Sequence, residues 1–142
     1  MMAVFCGLAA LGGHLFPVWL DFKGGKGAAT GIGIAFGLGW IAASVAMGVF
    51  FVVFAATRIV SLGSVIATVS VPITFFFTGG PFKAPREQLW IVTGFLAVAA
   101  ISIVIKHKEN LRRILRGEEP RWGQKASELP EEKKVESEAP RG

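Results

Sequence analysis

Long uncharged apolar runs, separated by short polar breaks, set the pattern of the first 105 residues. Residues 2–20, 31–56, 59–78 and 89–105 contain no Asp, Glu, Lys or Arg. A helix rises ~1.5 Å per residue, so roughly 20 apolar residues cross a hydrocarbon core. Residues 2–20, 59–78 and 89–105 therefore read as membrane spans, with Pro72 predicting a kink in the third run. The run 31–56 is longer than a straight crossing needs, and Gly37 and Gly39 offer a place to break it. A signal peptide does not fit 2–20, which has neither a basic start nor a small-residue cleavage site. The expected fold is all-α, a polytopic integral-membrane helical bundle with about four to five membrane segments.

Four single crossings would leave the loop after residue 20 and the chain after residue 105 on opposite sides of the membrane. A joint site built from both needs a break in 31–56, expected near residues 37–40. Irregular backbone at membrane depth is tolerated where it is buried in protein or lines a polar cavity.

Composition supports this picture. The chain is 52% hydrophobic with a mean hydropathy of +0.55, too apolar for an ordinary soluble domain of 142 residues. Charge then changes abruptly: ten Lys or Arg and eight Asp or Glu fall at or after residue 106. Residues 105–116 can form a short headgroup-facing helix with Leu111, Ile114 and Leu115 on one face. Arg112 and Arg116 suit lipid contact there. The expected organisation is a membrane domain over 1–105, a C-terminal segment over 106–122 and a disordered charged tail over 123–142. Lys23 and Lys26, and the more basic 106–116, place both regions on the cytoplasmic side of a multi-pass protein.

The candidate chemistry lies in the first polar break. Gly24, Gly25 and Gly27 lack Cβ and can bring backbone N–H groups close to an oxyanion, while Lys23 and Lys26 supply charge. Ala28, Ala29 and Thr30 then open a helix whose N-terminal N–H groups and dipole favour an anion, with phosphate the natural guest. Two plainer readings stand beside this: lysines that only mark the cytoplasmic side, and a glycine turn that only connects helices. A nucleotide P-loop is excluded, because Lys26 is followed by Gly27 and Leu20 stands where the first glycine would be.

Elsewhere, His14 within an apolar run is either functional or a helix-to-helix hydrogen-bonding residue. An H-x-x-x-x-D acyltransferase dyad is absent, since Trp19 stands five residues after it. Arg58 and Ser61 lie between two spans; a snorkelling arginine competes with a polar cluster of Arg58, Ser61 and Ser64. Gly27, Gly31, Gly33 and Gly37 include two G-x-x-x-G spacings, and close helix packing is the reading for the last three.

Three ordered strings carry a resemblance. GHLFPVWLDFKGGKGAAT from Gly13, TRIVSLGS from Thr57, and HKENLRRILRGEE from His107 resemble signatures of the bacterial acyl-phosphate:glycerol-3-phosphate acyltransferases, the integral-membrane PlsY family. The last string matches H-x-x-N-x-x-R-L-x-x-G-x-E with Ile114 in place of Leu. The resemblance covers about residues 3–122. It implies further N-terminal helices and an S-G-N-x-G-x-T-N-x-x-R signature, nothing like which occurs here, so a truncated or mis-started form is expected.

The resemblance further implies transfer of a fatty acyl chain from acyl phosphate to the 1-hydroxyl of sn-glycerol 3-phosphate at the bacterial inner membrane. No cofactor, metal or nucleic-acid partner is expected; the partners are the two substrates and membrane lipid. It makes His107, Asn110 and Lys26 candidate catalytic residues. Lys23, Gly24, Gly25, Lys26, Gly27, Thr30 and Arg113 are candidate phosphate ligands, and His14, Arg58, Ser61 and Glu119 supporting residues. Glu119 is expected to pair with an arginine nearby. It also implies that the donor's own phosphate takes the acceptor proton. A second reading is a non-catalytic membrane protein or transporter subunit that binds phosphate groups with the same loop.

Overall fold

A computed structural model describes residues 2–21, 24–79 and 85–124, without the side chain of Trp19; Lys23 and the tail from 125 onward lie outside the described residues. The described residues form six α-helices and no strand: α1 (Met2–Leu15), α2 (Ala28–Leu38), α3 (Trp40–Thr57), α4 (Val60–Thr78), α5 (Arg86–Lys106) and α6 (Lys108–Leu115). The last three apolar helices, α3, α4 and α5, are long and apolar enough to cross a membrane, while α1 and α2 are shorter apolar helices.

The first expected span is cut short. Pro17 has no N–H and its ring crowds the carbonyl four residues back, so the helix ends at Leu15 and a short 3-10 turn, Val18–Leu20, follows. The run 31–56 is broken at Gly39, inside the expected window. Gly39 donates its N–H to Ala35 (2.8 Å) and its carbonyl accepts from Ala43 (3.1 Å), ending α2 and starting α3. With 11 residues, α2 rises only ~16 Å, about half of a hydrocarbon core. Pro72 is accommodated within α4.

Small residues let the helices approach. Ala35, Ala42, Ala43, Ala46 and Ala67 are buried with Val4, Val71, Phe75, Phe95 and Leu96. A Cβ on Gly63 would stand 3.0 Å from the ring of Phe50, so α3 and α4 lie close there. Large side chains such as Phe51, Val52, Phe77, Val98 and Ile101 point outward, the arrangement expected when lipid is the solvent.

The break at Gly39 also removes the sidedness problem. The end of α1, the start of α2, the α3–α4 corner and the end of α5 meet at one end of the bundle. Lys106 reaches Leu15, Ile103 underlies Gly27 and Gly31, and Trp122 after α6 bonds to Arg58.

Candidate active site

The glycine loop is packed onto the end of α1. A Cβ on Gly24 would collide with the backbone carbonyls of His14 and Leu15, and one on Gly25 with the imidazole Nε2 of His14. Gly27 has φ +78°, and its Cβ would stand 2.9 to 3.3 Å from Leu15, Leu11 and Ile103. Gly24 thus needs glycine for space and Gly27 for space and conformation, whereas at Gly25 the exposed His14 ring can swing aside. Gly31 donates its N–H to Gly27 (2.7 Å), which starts α2. No side chain caps that start, so the N–H groups of Ala28, Ala29 and Thr30 have no partner within the helix. Lys26 is exposed on the same loop.

An apolar cavity of about 210 Å³ begins at this helix start, among Ala28, Ala29 and Gly31, and runs between α2, α3, α4 and α5 to Val71 and Leu96. Ser64 and Thr68 are the hydroxyl groups on its wall.

A polar cluster occupies the same end of the bundle. Glu119 accepts hydrogen bonds from Ser61 Oγ (2.6 Å) and Asn110 Nδ2 (2.7 Å) on Oε1, and from Arg113 Nε (2.8 Å) on Oε2. Its side chain is only 6% exposed, that of Arg113 30%. Burial pushes the Glu119 carboxyl up, but the bonds from Ser61, Asn110 and Arg113 and the charge of Arg113 outweigh it and hold the group below its ordinary value.

Local sequence explains this geometry. Asn110 and Arg113, three apart, share a face of α6. Gly117, at φ +73°, closes the helix: its N–H donates to Ile114 (3.0 Å) and that of Glu118 to Arg113 (2.8 Å), the two bonds of a Schellman motif. That turn sends Glu119 back onto Asn110 and Arg113. The strand of chain beyond it is pinned by the Trp122 N–H on the Arg58 carbonyl (2.7 Å) and by the Trp122 ring edge-on to Phe54.

His107, 3% exposed, is the joint between α5 and α6, which are separate helices rather than one from residue 105. Its Nδ1 lies 2.8 Å from the Ile103 carbonyl, which can only accept, so Nδ1 carries a proton and donates.

Several expectations change. His14 sits exposed at the end of α1, and among the described residues it makes no helix-to-helix hydrogen bond. Ser61 and Ser64 do not join Arg58: Ser61 bonds Glu119 and Ser64 its own α4 backbone at Val60. Arg58 instead contributes its backbone, in the left-handed region at φ 58°, to the α3–α4 corner. Gly31 does pack tightly, against Ile103, but a Cβ on Gly33 or Gly37 would meet nothing among the described residues. Both lie on α2 away from its packed face. Lys106 and Trp122 were not predicted. The basic last turn of a helix gives a weak signal for Lys106, and no sequence signal links Ser61 to Glu119.

The profile of the family described as glycerol-3-phosphate acyltransferase matches residues 1–117. The chain belongs to this family. A family member of Prochlorococcus marinus (strain MIT 9211), glycerol-3-phosphate acyltransferase, is 41% identical over 120 residues, which cover 84% of this chain and 56% of the relative. Another, of Erythrobacter litoralis (strain HTCC2594), is 43% identical over 122 residues, covering 84% and 57%. The crystal structure of PlsY, an integral membrane glycerol 3-phosphate acyltransferase, in its glycerol 3-phosphate form superposes with a TM-score of 0.74 at 37% identity. The match covers 84% of this chain and 56% of that one. The lysophosphatidic acid form gives the same TM-score and identity. The chain spans little more than half the length of these relatives, and it is a bacterial multi-pass membrane protein of their fold.

Proposed function

We propose that this chain transfers a fatty acyl group from acyl phosphate to the 1-hydroxyl of glycerol 3-phosphate. The acceptor oxygen bonds to the acyl carbon, the bond from that carbon to the phosphate oxygen breaks, and the acceptor proton leaves on the phosphate. The products are lysophosphatidate and phosphate. One observation carries the reading: an uncapped, glycine-lined helix start beside Lys26 opens directly onto an apolar cavity of about 210 Å³. An acyl phosphate has a charged head and a hydrocarbon tail, and this juxtaposition offers a place for each.

In this reading the loop N–H groups and Lys26 bind phosphate and stabilise charge developing in the transition state. Arg113 adds positive charge at the rim, while His107 and Asn110 fix the rim by their bonds to Ile103 and Glu119. The cationic groups Lys26, Lys106, Lys108, Arg112, Arg113 and Arg116 share one end of the bundle, which supports a site facing the cytoplasm from the inner membrane. Nucleic acid has no part in it.

The test is transfer from acyl phosphate to labelled glycerol 3-phosphate in membranes holding the chain, beside Lys26→Ala, His14→Ala and His107→Ala. Lysophosphatidate formed by the chain, and lost far more in Lys26→Ala than in either histidine variant, supports the reading. Absence of product from chain verified in the membrane refutes catalysis, and phosphate-lipid binding without turnover would leave the non-catalytic reading.

A further inference from the structure

We propose that Lys106 is a positioning residue, a bolt between α5 and α1 that holds the glycine loop in its anion-binding shape; the proposal rests on the function just described. Lys106 is the last residue of α5 and lies 91 positions from Leu15, yet its Nζ donates to the Leu15 carbonyl at 3.0 Å. The ammonium also sits 4.6 Å over the ring of Phe16, the residue after α1. It therefore caps the carbonyl end of α1 with a positive charge, where the helix dipole is negative. The cation–π contact holds it there.

The location gives the contact its meaning. The Leu15 carbonyl that Lys106 holds is one of the two against which Gly24 is pressed. Leu15 is 3% exposed, packs with Leu11, Ala99 and Ile103, and is also one of the side chains beneath Gly27. Any swing of the end of α1 moves the floor on which Gly24, Gly25 and Gly27 rest. Pro17 removes one backbone hydrogen bond that would otherwise extend α1, so the segment has little restraint of its own. Lys106 supplies it from α5, next to His107.

The experiment uses the full chain in nanodiscs, with Lys106→Met, which keeps an apolar stem over Phe16, and Lys106→Arg, which keeps the charge and the donor. Amide exchange is followed at Phe16 and Gly31, whose N–H groups bond to Gly12 (2.9 Å) and Gly27 (2.7 Å), with α4 as internal reference. Lys106→Met should lose at least about tenfold of protection at Phe16 and Gly31 with α4 unchanged, the scale of one charge-assisted hydrogen bond. Lys106→Arg should recover most of it. In the transfer assay, KM should rise by a similar factor with kcat within threefold. Unchanged protection at both amides, or a uniform loss that includes α4, overturns the proposal. So does a fall in kcat at constant KM. If the wild-type chain does not turn over, the proposed function fails while exchange alone still decides the role of Lys106.

Discussion

Replacing Glu119 by Gln tests whether the C-terminal cluster is a charged anchor or an incidental surface contact. The carboxylate accepts three hydrogen bonds, from Ser61, Asn110 and Arg113, with its side chain 6% exposed. Glutamine has the same shape but one oxygen and one NH2 group. If the oxygen keeps Ser61 and Asn110, the amide nitrogen faces Arg113 Nε, donor against donor. If it turns over, the Ser61 hydroxyl can rotate to accept from the amide, but Asn110 Nδ2 then meets it donor against donor. Hydrogen bonds to charged groups contribute about 1.5–3 kcal/mol each, and breaking a buried ion pair costs about 3–5 kcal/mol. Arg113 is partly exposed, which places the expected loss near the lower end, at about 3 kcal/mol. For a unit of this size that corresponds to a fall in Tm of roughly 10 °C.

The pH dependence provides a sharper check. The folded-state pKa of Glu119 lies below its ordinary value of 4.5, so the folded state binds fewer protons than the unfolded state in that window. Its stabilisation is fully present above pH ~4.5 and is lost as pH falls through the lowered folded value. Thermal unfolding of wild type and Glu119→Gln, followed by circular dichroism from pH 3 to 8, should give a Tm gap that is constant above pH ~5 and narrows below it. A gap under about 2 °C at pH 7, or two acid limbs that run parallel, would refute the anchor.

Four further outcomes follow from the same contacts. Gly25→Ala should cost little activity, because the exposed His14 ring can swing aside, whereas Gly24→Ala, pressed on backbone carbonyls, should lower activity and not be rescued by His14→Ala; transfer rates of the three single variants and the Gly24→Ala/His14→Ala double decide it. Gly31→Ala places Cβ 2.7 Å from Ile103 Cδ1, and Ile103→Val removes that atom, so the double variant should melt higher than Gly31→Ala alone; equal or lower Tm counts against the packing. Gly117→Ala, at φ +73°, should cost about 1 kcal/mol or more and loosen the Schellman turn, read as a lower Tm, while Gly117→Asn should cost less. Ala67→Leu narrows the apolar cavity and should lower kcat/KM for long-chain acyl phosphates more than for short ones; an unchanged chain-length profile would place the tail elsewhere.

Much of the fold was legible because membrane spans depend on length and apolarity, which are local properties. The runs 59–78 and 89–105 correspond to α4 and α5 to within a few residues. The break in 31–56 was legible for a different reason: a joint site required it, and glycine marked the place. The glycine loop was legible from composition, but the cause of its spacing was not. That Gly24 meets backbone while Gly25 meets a side chain depends on how α1 ends, and Pro17 ends it five residues before the apolar run does. The Glu119 cluster was less legible still. Arg113 was readable as a partner because it is local, but Ser61 is 58 positions away and only the α4–α6 packing brings it in. Of the two readings of Arg58, the serine cluster is not the arrangement seen: a serine in a helix readily bonds its own preceding turn, as Ser64 does, and Arg58 meets the corner through its backbone.

The last turn of α5 connects what the sequence keeps apart. The Ile103 side chain lies beneath Gly27 and Gly31, and its carbonyl holds the His107 ring. Lys106 holds Leu15, and His107 starts the helix that presents Asn110 and Arg113 to Glu119. The Leu15 carbonyl and the Glu119 carboxylate are groups whose unpaired burial near the membrane surface is costly, while the Ile103 carbonyl, which already accepts from the His107 N–H, takes the ring as a second donor. The helix end is therefore held by its own polar requirements, and two signatures separated by some 80 positions gain a fixed mutual geometry from it. A phosphate bound at the start of α2 would sense the position of α6 through a single helical turn, which is why loop and cluster must be perturbed separately to assign their roles.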